Sequence, residues 1–427
     1  MVVVSFSEIV LALVYFISLY FNVFWLLALL DKNEPKKKHW KTLPTFSLLI
    51  PAYNEADTIA ATLSSILNLN YPKDKLKIYV INDGSKDKTK EIAEEIAEKN
   101  SNIILVNQQN GGKANALNNA LKLVDSDFTA TMDADSAVEK NAVRNLLQYF
   151  TDDDIASVIP AMKIKDPKNI IQRMQCYEYL VYIFYRMLNG NINCIHVTPG
   201  PLSVYRTSVL KELNGYDETS ITEDLEIALR IQKKNYRILQ TYDAEVYTIP
   251  PGTLKGLFYQ RKRWFKGGFL TCIKHKDLMF NKSYGDFGLV RMPTMIILPF
   301  LTISMFMVFL NDIRVSITNF FNNLYTINFD VVPLIKAFEF NFNVLDLKFM
   351  NYSMVAFSII FAIVILVYSH KIAKEKFTAY GRSVKSLAYY LFVHPIFIAF
   401  VLITVVYSVL FERGYKWYGA KENNKPQ

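Results

Sequence analysis

Cysteine is nearly absent: Cys176, Cys194 and Cys272 are the three in 427 residues. They lie far apart and show no paired metal spacing, which argues against a disulfide framework or a zinc ribbon and reads as reduced cytosolic thiols. Internal repeats and low-complexity tracts are missing too. The net charge of +9 comes without any nucleic-acid-binding motif, so nucleic acid is not expected as a partner; anionic lipid and an anionic substrate suit that charge better. Charge of either sign is missing from residues 9–30, an apolar run long enough to cross a hydrocarbon layer of roughly 30 Å as a helix. No small-residue cleavage site follows the run, and it is too long for a signal-peptide core.

What is present is apolar and unevenly spread. Hydrophobic residues make up 51% of the chain, and the mean hydropathy of +0.13 is high for a soluble enzyme. Three further apolar segments lie at about 292–310, 353–369 and 386–411, the second of them short for a span. The expected organisation is an N-terminal membrane helix at 1–31, a soluble domain at 42–285 and a C-terminal membrane region at 288–411, then a tail at 412–427. Membrane-interface helices close the soluble domain at about 252–285, and an external loop is expected at about 312–350. Lys32, Lys36, Lys37, Lys38 and Lys41 follow the first span. Lys371, Lys374, Lys376, Arg382 and Lys385 join the last two. The positive-inside rule puts both groups, and the soluble domain with them, in the cytosol of a multi-pass membrane protein. The basic tail (Arg413, Lys416, Lys421, Lys425) disagrees, because a four-span count puts it outside.

The soluble domain alternates strand and helix. "FSLLIPAYNE" reads as a strand broken at Pro51, followed by a helical stripe of Ile59, Leu63, Ile66 and Leu67. "LKIYVINDGSKD" is the next strand, with Ile92 and Ile96 marking its helix. "NIILV" is the third strand, and "GGKANALNNALKLV" opens a helix carrying Leu117, Leu121 and Val124. "FTATM" is the fourth. Repeated βα units predict an α/β, Rossmann-like domain with a mostly parallel sheet, whose ligands bind beyond the carboxyl ends of the strands. Tyr53, Asn54, Glu55, Asp83, Lys113, Asp133 and Asp135 all fall at or just beyond such ends.

These residues suggest chemistry. Asp133 and Asp135, two apart at a strand end, face one side and repel unless something positive lies between them. A hard dication, Mg²⁺ or Mn²⁺, takes such oxygen ligands together with substrate phosphates. Lys113 follows two glycines and opens a helix, which suits a nucleotide's phosphates. In "SITEDLEIALRIQKK", Ser220 and Glu223 fit a capping box. Asp224 then falls in the first turn, where the dipole favours its ionised form, and it is a candidate base for an attacking hydroxyl. In "YQRKRWFKGG", Gln260, Arg263 and Trp264 share a helical face, an arginine to clamp a diphosphate and a flat ring for a sugar. The same segment also reads as a basic amphipathic helix at the membrane surface. The aromatic helix at 168–188, with Tyr177, Tyr179, Tyr182, Phe184 and Tyr185, suits core packing better than an acceptor path.

"PAYNEA", "NDGSKD", "NGGKANALN", "DAD", "GPLSVYR", "TEDLE" and "QRKRW" occur in the order seen in membrane-bound family 2 glycosyltransferases. The chain resembles their processive polysaccharide synthases of hyaluronan, chitin, poly-N-acetylglucosamine and cellulose. The resemblance covers about residues 42–275 and implies a GT-A fold and an inverting, metal-dependent transfer. It implies that Tyr53, Glu55 and Asp83 hold the uracil and ribose of a UDP-sugar and that Lys113 helps with the nucleotide. Asp133 and Asp135 would bracket it, with Asp135 the main metal ligand. Asp224 would be the base, and Arg263, Gln260 and Trp264 would gate the nucleotide and face the acceptor, beside Glu223 and Gly200. Pro199, just ahead of Gly200, departs from the small residue common there. The expected product is a β-linked polysaccharide passed across the membrane. Transfer of one sugar to a membrane lipid is the alternative, and a degenerate scaffold is disfavoured by the intact acidic residues. Cellulose synthase with in-chain cyclic-nucleotide control is the less expected member of that group, since no PilZ-like segment is read in this sequence.

Overall fold

The structure, a computed structural model, describes residues 6–30, 36–332 and 349–411. Its strands are β1 (Phe46–Ala52), β2 (Leu76–Asp83), β3 (Ile103–Gln108), β4 (Phe128–Thr131), β5 (Ala137–Val138), β6 (Ile155–Ile164), β7 (Val204–Arg206) and β8 (Arg237–Thr248). They form one sheet in the order β3-β2-β1-β4-β7-β6-β8-β5. The first four run parallel to one another. Helices α2 (Ile59–Leu67), α3 (Thr89–Glu98) and α4 (Lys113–Leu121) return the chain between them. Across the sheet β7 runs antiparallel to β4 and β6, β8 runs parallel to β6, and β5 is an antiparallel edge.

The expected alternation is explained by burial on both faces of the sheet. Phe46, Leu48 and Ile50 of β1, and Leu76, Ile78 and Val80 of β2, enter one core. Their neighbours Leu49, Tyr79 and Ile81 enter the other, under α4. A strand covered on two sides reads as a continuous apolar run. The break expected at Pro51 does not occur: β1 continues to Ala52, with Pro51 opposite Ile81. The β4 ladder on its other side stops at Leu49 opposite Thr131, so the strand tolerates a residue without a donor there.

The second half of the domain adds α5 (Ala142–Leu147), α6 (Ile170–Asn191), α7 (Thr207–Glu212), α8 (Glu223–Lys233) and α9 (Leu254–Lys274). Among the described residues three helices are long and apolar enough to cross a membrane: α1 (Phe6–Leu30), α10 (Phe287–Thr326) and α12 (Val384–Phe411). Between the last two lies α11 (Phe349–Ile372), whose apolar part, Ile360–Ile372, is shorter. Helix α10 has 40 residues, roughly 60 Å at the helical rise and about twice a hydrocarbon layer. The loop expected at 312–350 therefore begins as helix, as far as Thr326; residues 333–348, Lys32 and the tail 412–427 lie outside the described residues.

On the aromatic helix α6, Tyr177, Val181 and Phe184 pack with Trp25 of α1 and with Ile365 and Leu366 of α11. These rings are core between the sheet domain and the apolar helices. The basic group between α11 and α12 makes contacts that charge alone does not reveal. Arg382 is buried and pairs with Glu375 at 2.9 Å. Buried Lys163 of β6 donates to Glu245 at 2.7 Å and to the Ala373 carbonyl at 2.8 Å. The 373–382 loop is thus clasped to the sheet by charge pairing, a stronger placement than charge counting gives.

Candidate active site

The parallel strands β1, β2 and β4 end along one edge, and each delivers acidic residues there. Tyr53 and Glu55 follow β1. The loop that holds them is tied to the loop after β2: Glu55 N–H donates to Thr89 Oγ1 at 2.7 Å, and Lys86 N–H donates to Asn54 Oδ1 at 2.8 Å. Asn54 sits at φ +56°, a left-handed conformation that Asn tolerates. Glu55 Oε2 accepts from Thr58 Oγ1 at 2.6 Å at the start of α2.

Asp83 is the last residue of β2, and its carboxylate is already engaged. Oδ1 accepts from Gly111 N–H and from Gln108 Nε2, both at 2.8 Å, and Oδ2 accepts from Gly112 N–H at 2.9 Å. Gly112 holds φ +86°, open to glycine and strained for other residues, which turns its amide toward Asp83. Three of the four lone-pair positions of the carboxylate are thereby used. Asp83 therefore shapes the glycine loop that presents Lys113, the first residue of α4.

Lys113 joins two parts of the site that sequence cannot connect. Its Nζ lies 2.7 Å from Asp133 Oδ1, just past β4, and 2.8 Å from Glu223 Oε1, the first residue of α8. Burial opposes its charge, but Asp133, Glu223 and Asp224 outweigh this and hold its pKa above the ordinary value. Burial likewise works against ionised Glu223, yet Lys113 keeps its carboxyl below the usual range. The capping box expected from Ser220 and Glu223 is absent. Helix α8 begins at Glu223 with Thr222 at the cap position, Ser220 Oγ bonds the Thr222 backbone, and the Glu223 carboxylate goes to Lys113.

Gly200 packs directly on this ion pair. A Cβ there would stand 2.6 Å from Asp133 Oδ1 and 2.7 Å from Lys113 Nζ. The Gly200 carbonyl accepts from Thr131 Oγ1 at 3.0 Å. Thr198, two residues earlier, donates N–H and Oγ1 to the Asp224 carbonyl at 3.1 and 2.9 Å. Any side chain here would have to push the Asp133 carboxylate and the Lys113 ammonium aside.

The rest of the site carries surplus negative charge. Asp135 receives one long bond, from Ser136 Oγ at 3.2 Å. Burial, then Asp133 and Glu55, push its carboxyl up to about 7. Among the described residues no three His, Cys, Asp or Glu side chains could hold a metal by themselves. Two carboxylates fit a hard dication whose other positions go to water and substrate oxygens. Because Asp133 is shared with Lys113, Asp135 has the freer lone pairs. Asp224 Oδ1 accepts from Leu225 N–H at 2.9 Å. Burial and Glu223 raise its carboxyl to about 6, despite Lys113 and Arg263. The helix dipole expected to favour ionisation is thus outweighed, and the group is better matched to proton transfer near neutrality.

On α9, Arg263 lies within electrostatic reach of Glu223 and Asp224. Gln260 and Trp264 share its face, but both touch Arg261, which the sequence reading passed over. Arg261 Nη1 donates to Gln260 Oε1 at 2.5 Å, and its guanidinium lies 4.1 Å from the Trp264 ring centre. Trp264 also packs on the main core. Half of "QRKRW" therefore faces inward, which charge pattern alone could not reveal. Arg186 was also missed. This half-buried residue of α6 has no hydrogen bond or ion pair among the described residues, and its electrostatic neighbours are Tyr182, Tyr179 and Asp224. No local signal separates Arg186 from an ordinary surface cation.

Residues 47–213 match the family described as Glycosyl transferase family 2. A poly-beta-1,6-N-acetyl-D-glucosamine synthase of Staphylococcus aureus is 33% identical over 237 residues, which are 54% of this chain and 56% of that protein. The chain thus spans a little over half the length of that relative. The synthase of the same name from Staphylococcus epidermidis is 28% identical over 399 residues, 86% of this chain and 95% of that one. A mannosyltransferase from Pyrobaculum calidifontis, solved with GDP-Man and Mn²⁺, superposes with a TM-score of 0.61 at 18% identity. It covers 96% of this chain and 99% of its own, and so shares the fold.

Proposed function

We propose that the chain transfers a sugar, with inversion, from a UDP-sugar to the growing end of a β-linked polysaccharide at the inner face of a membrane. The relatives' name points to N-acetylglucosamine as the sugar. The observation that carries the reading is the bridge made by Lys113 between Asp133 and Glu223. It brings the candidate base on α8 beside the carboxylates of β4, with cations between them.

In this reading Asp224 accepts the proton of the acceptor hydroxyl, and that oxygen attacks the anomeric carbon of the donor. The bond from this carbon to the diphosphate breaks, and its electrons leave with UDP. Lys113 and Arg263 offset the charge that develops there. Asp135 and Asp133 would hold Mg²⁺ or Mn²⁺, which supplies further neutralisation of the departing phosphate oxygens. Tyr53 and Glu55 would flank the nucleoside, while Asp83 acts through the glycine loop. Gln260 and Trp264 would face the acceptor. Helices α1, α10 and α12 suit a multi-pass membrane location, and the basic residues around α1 suit a cytosolic domain.

The test is direct. The full-length chain in lipid nanodiscs is offered a panel of UDP-sugars with Mg²⁺ or Mn²⁺, and released UDP and product length are measured. Long polymer from UDP-N-acetylglucosamine is expected. A single glycolipid product replaces polymerisation with lipid glycosylation, and no UDP release from any donor overturns the transferase reading.

A further inference from the structure

A second charged cluster lies between α6, α9 and α12, apart from the carboxylates at the strand ends. Arg261 is wholly buried and Glu178 nearly so. Arg261 Nε donates to Glu178 Oε1 at 3.1 Å and Nη2 to Oε2 at 2.5 Å, a two-pronged pair. Tyr182 OH donates to Glu178 Oε1 at 2.6 Å. His394 of α12 stands 3.4 Å from the same oxygen through Nε2. The remaining faces of the guanidinium hold Gln260 Oε1 at 2.5 Å and the Trp264 ring at 4.1 Å. One helical turn on, Lys266 of α9 bonds Ser408 of α12 at 2.5 Å.

Desolvating two charges is costly, and apolar residues of similar volume generally stabilise a core as well or better. What the pair adds is geometry, because the planar fork of arginine fixes direction where a hydrophobic contact does not. Every group it fixes belongs to the acceptor side: Gln260, Trp264 and the helix that carries them. Nothing in it reaches Lys113, Asp133 or Asp135 through a hydrogen bond.

We propose that Glu178 and Arg261, with His394 beside them at 3.4 Å, are positioning residues that set the acceptor wall of Gln260 and Trp264 and tie its orientation to the last apolar helix. This rests on the transferase reading. The geometry makes acceptor engagement sensitive to the cluster and leaves donor binding to the strand ends.

The experiment uses full-length protein in nanodiscs with UDP-N-acetylglucosamine and a short β-linked N-acetylglucosamine oligosaccharide. In Glu178→Gln the acceptor KM is expected to rise about tenfold to a hundredfold, with UDP affinity within about twofold of wild type. Arg261→Lys keeps the charge and loses the fork, so it shows the same defect; full rescue by lysine would overturn the geometric role. His394→Gln spares the ion pair and keeps the fold testable. It gives a smaller rise in acceptor KM, and an unchanged KM overturns the link to α12. Equal loss of UDP affinity and acceptor KM in Glu178→Gln overturns the proposal, as does no change in either. Wild-type protein that releases no UDP defeats the transferase reading itself, a result distinct from all of these.

Discussion

Two charge clusters in this domain are built on opposite terms. Around Glu178 each charge has its partner: a two-pronged arginine, a tyrosine hydroxyl and a nearby histidine. At the strand ends Asp133, Asp135, Glu223 and Asp224 are set, among the described residues, against the paired ammonium of Lys113 and the more distant Arg263 and Arg186. A balanced cluster has no electrostatic use for a ligand and serves architecture. An unbalanced one leaves carboxyls at about 7 and about 6 that would ionise more readily with a cation at hand. Exposure separates them as well: Arg261 and Glu178 are sealed, whereas the Lys113 and Asp133 side chains keep 30% and 32% of their surface exposed.

The comparison breaks most visibly at Asp224. Asp224→Asn is expected to reduce transfer about 10²- to 10⁴-fold, the usual contribution of a general base, while UDP binding stays intact. Radiolabelled sugar incorporation and UDP titration measure the two, and parallel loss of both would count against the role. Asp135→Ala comes next. It removes a carboxylate that the surplus cluster needs for a cation, so metal-dependent UDP binding is lost; calorimetry with and without Mn²⁺ reads it, and binding that persists with full metal dependence would move the site elsewhere.

Gly200→Ala tests the steric half of the same cluster. The new methyl collides with the Asp133–Lys113 pair, and displacement by about an ångström should lower kcat/KM roughly tenfold to a hundredfold with little change in Tm. A fully active alanine variant would show that the loop has room to move. The smallest effect is in the pH profile. Asp224 has a raised pKa, so its ionised form, the one that accepts a proton, is present above about 6 and lost as pH falls through that value. The rate should fall about tenfold per pH unit below that point. A rate flat down to the range of an ordinary aspartate would separate Asp224 from the chemistry.

Much of the fold was legible because it is local. The apolar runs of β1 and β2 and the stripe of Ile59, Leu63 and Ile66 depend on periodicities of two and 3.6 residues. Less legible were features set by a neighbour. Pro51 stays in β1 because β4 ends early, and Glu223 leaves its expected capping bond because Lys113 offers a charge. The basic group after α11 was read by its charge alone as cytosolic, and the pairing of buried Arg382 with Glu375 was not legible there.

The sequence by itself determined where strands end and that acidic residues cluster at those ends, since both follow from spacing along one stretch of chain. Only the tertiary structure decided which of these groups share a cation, that Asp83 spends its carboxylate on the glycine loop, and that Arg261 rather than Arg263 is sealed against Glu178. The physical reason is that burial and charge pairing depend on distances between residues remote in sequence, and no local pattern encodes those distances.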